Sequence, residues 1–102
     1  MFQVQETSPA KTMLYGRTVV GQSPIQLTIV TGPTVRGILI RAPGIGESNV
    51  NTDMVYVGDY QVTVATGFPL TPGAAIELPI DDPSQIYVVS SSANQTVAWM
   101  AV

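Results

Sequence analysis

The chain has 102 residues, 45% of them hydrophobic and 11% charged, with a formal net charge of −3. That length suits one domain with a core of its own. Cysteine is absent, which excludes disulfides and leaves the fold to rest on packing alone. Residues 1–12 are mostly polar, contain Pro9 and read as an arm, with 13–102 as the domain. The first ten carry neither a basic nor an apolar run, so no secretory signal is expected. Residues 13–20 are a strand candidate, with Gly16 as a bulge or a close-approach site. Gly21-Gln22-Ser23-Pro24 is a turn, after which Ile25, Leu27 and Ile29 alternate with Gln26 and Thr28 in a period of two. Thr31-Gly32-Pro33 breaks that strand and opens the next, 35–41. There Ile38, Leu39 and Ile40 are apolar on both faces, as in a central strand or one at a subunit interface.

Residues 42–52 form the longest loop, rich in Gly, Pro, Ser and Asn. Short strands are expected at 54–57, around Val62 and Val64 after a Gly58-Asp59 turn, and at 68–70. Pro72-Gly73 fits the central positions of a type II turn, where Pro sets the first φ and Gly permits a positive second. Ile76, Leu78 and Ile80 alternate through the next strand, and Pro79 demotes it to an edge. Asp81-Asp82-Pro83-Ser84 is a bend, and 86–89 with 96–102 read as a final hairpin carrying Trp99. Gly67, Pro72, Gly73, Asp81 and Asp82 are thus the expected structural turns. About eight short antiparallel strands at spacings of about 8–12 residues, with no helix, predict an all-β, single-domain, jelly-roll-like β-sandwich.

The charge content is low against about 25% in an ordinary soluble domain. Depletion of charge marks interface cores, so a homo-oligomer, a trimer first, is expected. All four basic residues, Lys11, Arg17, Arg36 and Arg41, lie before Ala42; with Glu6 they give that part +3, and the six carboxylates after it give −6. Two halves of opposite sign suit head-to-tail contacts, unless the fold interleaves them. Nucleic acid is not an expected partner without a basic patch. Nor is a membrane, since the apolar runs are strand-sized.

Catalytic constellations are poorly supplied. Adjacent Asp81 and Asp82 suit a bend better than a shared cleft, and calcium at Asp59, Asp81 or Asp82 is the weaker alternative. Ser90-Ser91-Ser92 has no histidine to activate it, and Lys11 is the only lysine. Gly44-Ile45-Gly46 is not followed by the helix that a phosphate cradle needs. Tyr15, Tyr56, Tyr60, Phe68, Tyr87 and Trp99 are read as core and interface anchors rather than as a sugar platform.

The stretch 55–89 resembles a family of short structural proteins of tailed-bacteriophage virions. The resemblance rests on Val55-Tyr56-Val57-Gly58, Val62-Thr63, Gly67-Phe68-Pro69-Leu70 with Pro72-Gly73, Ile80-Asp81-Asp82 and Ile86-Tyr87-Val88-Val89. It covers 35 of the 102 residues, about a third of the chain. It implies a β-sandwich used in head decoration, head fibres or other virion parts. The expectation is therefore a non-enzymatic virion protein, without cofactor, that decorates or cements a capsid as an oligomer. Lys11, Arg36, Arg41, Ile38, Ile40 and Trp99 are the expected interface residues, and the major capsid protein is the expected partner. The alternative is a carbohydrate-recognition module on a fibre or spike.

Overall fold

The computed structural model of the chain describes residues 14–29, 37–80 and 82–101. They hold eight strands: β1 (Tyr15–Val20), β2 (Ile25–Gln26), β3 (Ile38–Arg41), β4 (Val55–Gly58), β5 (Phe68–Leu70), β6 (Ala75–Leu78), β7 (Tyr87–Ser90) and β8 (Gln95–Ala101). A short 3-10 turn, Pro83–Gln85, precedes β7. The strands are nested in antiparallel pairs: β1 with β8, β2 with β7, β3 with β6, β4 with β5. The chain is thus one long ribbon folded back between β4 and β5. Alternate pairs enter opposite sheets, ordered β1-β8-β3-β6 and β2-β7-β4-β5. Ladders between β3 and β8 and between β4 and β7 complete each sheet. This is the strand order of a jelly roll, the all-β sandwich that the spacing of short strands predicts.

Alternation along each strand builds the core. Val20, Ile38, Ile40, Val97 and Trp99 face it from the first sheet, and Val55, Val57, Leu70 and Val88 from the second. Each such side chain contributes about 1.5–3 kcal/mol on burial. Gly16 lies opposite Trp99 in an unbroken register, so it is a close-approach site and no bulge. A Cβ there would lie 3.1 Å from the Trp99 Nε1. β6 is an edge strand and stops before Pro79, as that proline requires.

Three expectations fail. The alternation of Ile25, Leu27 and Ile29 gives only a two-residue strand: Leu27 is buried, but Ile29 is 84% exposed. The backbone bends at Leu27, whose N–H donates to Ile86 O at 2.8 Å and whose carbonyl accepts from the Thr18 hydroxyl. Those bonds fix Leu27 between the sheets instead of extending β2. Val62 and Val64 form no strand. Between Gly58 and Phe68 the backbone is caught by local acceptors: Val62 N–H donates to Asp59 O, Gly67 N–H to Thr63 O, and Ala65 N–H to the Thr63 hydroxyl. Asp and Thr compete with strand ladders in this way.

The final hairpin is also absent. β7 and β8 lie in different sheets, because β8 is already flanked by β1 and β3. The link between them, with Asn94 at φ 61°, turns the corner of the sandwich. Gly21-Gln22-Ser23-Pro24 does the same between β1 and β2, and Ser90 N–H donates to Gly21 O at 2.8 Å. The expected arm 1–12, the break at Thr31-Gly32-Pro33, and Lys11, Arg36 and Asp81 lie outside the described residues. Among the described residues no helix is long and apolar enough to cross a membrane.

Candidate functional site

The sheet β1-β8-β3-β6 presents its outer face in register-defined rows. Tyr15, Met100, Leu39 and Glu77 stand side by side in one; Arg17, Ala98, Arg41 and Ala75 in the next; Val19 and Thr96 in a third. They point outward because the residues between them point into the core. Tyr15 is 71% exposed and Val19 66%. An open depression along β1 and β8 is lined by Tyr15, Arg17, Ala98 and Met100 from the outer face and by Gly16 and Trp99 from the core side.

Charge on this face is organised by the loop after β3. The Arg41 guanidinium donates to Glu47 Oε2 at 2.6 Å and to Gly73 O at 2.9 Å, and Gly44 N–H donates to Glu47 Oε1 at 2.8 Å. The Arg41 bond, then the Gly44 N–H, hold the Glu47 carboxyl below the usual carboxylate range. Arg17 donates to Ser48 O at 3.4 Å, and its charge adds a smaller pull on the Glu47 carboxyl in the same direction. The opposite charges of the two halves of the sequence thus meet in space: Arg17, Arg41, Glu47 and Glu77 share this side of one sheet.

The expected interface residues separate into two groups. Ile38, Ile40 and Trp99 are core residues, with Trp99 6% exposed and the isoleucines 0%. Buried within the single chain, they have no surface to give a neighbour; two-sided apolarity in β3 marks a central strand. Arg41 is exposed, as expected, but tied to Glu47. Of the turn residues, Pro72 and Gly73 form the expected turn: Ala74 N–H donates to Thr71 O at 2.8 Å and Gly73 has φ +94°. Gly67 also lies in a turn, where close approach demands a glycine: a Cβ would lie 2.7 Å from both Tyr56 Cβ and Val62 Cγ2. Asp82 caps the 3-10 turn by accepting from Ser84 N–H at 3.0 Å and Ser84 Oγ at 2.7 Å. Those two bonds lower its carboxyl pKa.

A polar corner joins residues that the sequence gives no reason to pair. Ser91 Oγ and Ser92 Oγ both donate to Asp53 Oδ2 at 2.8 Å, and Met54 N–H donates to Asp53 Oδ1 at 2.7 Å. The two hydroxyls, Ser91 first, pull the Asp53 carboxyl below its ordinary value. Gln95 Oε1 accepts from Thr52 and Asp53 N–H, and Asn51 exchanges two bonds with the Thr96 backbone. The network ties the segment before β4 to the corner between β7 and β8. Its only sequence signal is a run of small polar residues, which gives no pairing.

Asp59 accepts from Gln61 N–H at 2.9 Å, so it too serves a turn. Among the described residues no three carboxylates converge. The aromatics are divided among surfaces: Tyr15 is on the outer face of one sheet, Tyr56 and Tyr87 share that of the other, Trp99 is in the core, and Tyr60 and Phe68 are exposed. Comparison of the chain with protein-family models, with curated proteins and with solved structures finds no match.

Proposed function

We propose that this protein is a non-enzymatic structural component of a tailed-phage virion, one that decorates or cements the capsid as a homo-oligomer. The observation that carries the reading is the outer face of the first sheet of a jelly-roll sandwich, where Tyr15 and Val19 stand out into solvent beside Arg17, Arg41 and Glu77. The resemblance of 55–89 to short virion proteins supports the same assignment. The mechanism is binding. A protein that engages only the assembled shell stabilises that shell by mass action.

Co-sedimentation with expanded shells of the phage that encodes the chain tests the reading, with a glycan panel run beside it. Saturable binding at a fixed ratio to capsid protein is expected. Glycan binding without shell binding would favour a carbohydrate-recognition module instead.

A further inference from the structure

The edge strands of the two sheets are not alike. An edge shows a row of N–H and C=O groups to any extended chain, and proteins blunt it with shortness, proline or charge. β2 has two residues; β5 has three with Pro69 at their centre; β6 stops at Pro79 and carries Glu77. β1 has six residues, no proline, an unbroken register and one charge, Arg17. Among the described residues β8 is the only strand beside it.

The ladder shows which groups of β1 point away. Ala101 N–H donates to Leu14 O at 2.8 Å, so those two are a hydrogen-bonded pair. Bonded and non-bonded pairs alternate along an antiparallel ladder. Gly16, Thr18 and Val20 therefore turn their backbone groups to β8, and Tyr15, Arg17 and Val19 turn theirs outward. At the far edge of the same sheet Ala42 N–H donates to Ala74 O at 2.9 Å. By the same alternation Ile76 and Leu78 face β3, while Ala75 and Glu77 turn outward.

We propose that β1 of one copy pairs with β6 of a second copy, head to tail, with Arg17 opposite Glu77. The inference rests on the oligomeric part of the reading above. Direction fits: β6 runs opposite to β1 through three antiparallel steps, so the added pair is antiparallel as well. Backbone fits: Arg17 meets Glu77 and Val19 meets Ala75, outward groups against outward groups, with Tyr15 beside Pro79. Faces fit, since Tyr15, Arg17, Val19, Ala75 and Glu77 all lie on the outer side. Charge fits best of all. Arg17 and Glu77 are both exposed, and neither is in a close ion pair among the described residues: Arg17 acts on Glu47 only at longer range, where Arg41 already holds it. A two-fold contact of β1 with β1 that used all three outward residues would set Arg17 against Arg17, which is unfavourable. A head-to-tail contact closes into a ring or runs on as a chain.

The test is sedimentation of the full chain, its Arg17→Glu and Glu77→Arg variants, the double variant that carries both substitutions, and Val19→Pro. Wild type is expected to associate. Each charge variant alone should associate about tenfold more weakly, and the double variant should recover, because every junction then joins opposite charges whatever the number of copies. Val19→Pro removes an N–H that faces away from β8, so it should keep the melting transition and lose association. A Glu77→Arg variant that associates like wild type overturns the proposal, as does a double variant that fails to recover. A monomeric wild type also overturns it; in that case co-sedimentation with shells still decides the proposed function separately.

Discussion

Gly73 occupies the second central position of its turn at φ +94°, and a Cβ added there would meet only the Gly44 Cα, at 4.0 Å. The obstacle to a side chain is backbone strain and not space. Gly73→Val should destabilise by about 1–3 kcal/mol, read from chemical denaturation; an unchanged midpoint would contradict the turn. The carboxylates make a second prediction at this scale. Glu47, Asp53 and Asp82 are held below their ordinary values by hydrogen bonds present only in the folded chain. A lowered folded pKa supplies stability above the unfolded value and loses it as pH falls through the folded one. The melting temperature should therefore fall below about pH 4. Asp53→Asn should flatten part of that slope. A melting temperature independent of pH down to about pH 2 would contradict the assignment.

At the scale of elements, β8 is the strand on which the first sheet depends, flanked by β1 and β3. Trp99 is its largest core side chain, and Trp99→Ala should cost about 3–5 kcal/mol, with native fluorescence typical of a buried indole before the substitution. Gln95, buried at the start of β8, accepts two N–H groups from the segment before β4. Gln95→Leu leaves both without an acceptor and should cost about 1–3 kcal/mol; a neutral effect in thermal melts would show that the corner is not held this way. Strand spacing, the Pro72-Gly73 turn and the edge at Pro79 were legible in the sequence because each follows from local dihedral rules. The sheet assignment of β7 and β8 was not, since adjacent strands suggest a hairpin unless the long-range partners β1 and β3 are known. The polar corner around Asp53 was hidden for the same reason: its acceptors and donors lie 38 and 39 residues apart. Ile38 and Ile40 showed their burial plainly, but not whether the core or a neighbouring subunit supplied it.

At the scale of the whole molecule, the nested pairing of eight strands leaves, among the described residues, one broad outer face and one unblunted edge on the same sheet. The edge suits contacts between copies, and the face suits contact with a larger surface. On the proposed reading the protein acts by shifting the stability of the shell it binds, so the shell is the object to measure. Scanning calorimetry of expanded phage shells, with and without the protein, tests the central claim most directly. Added protein should raise the shell's disruption temperature, and the shift should saturate at a fixed ratio to capsid protein. A disruption temperature unmoved at saturating protein would contradict it.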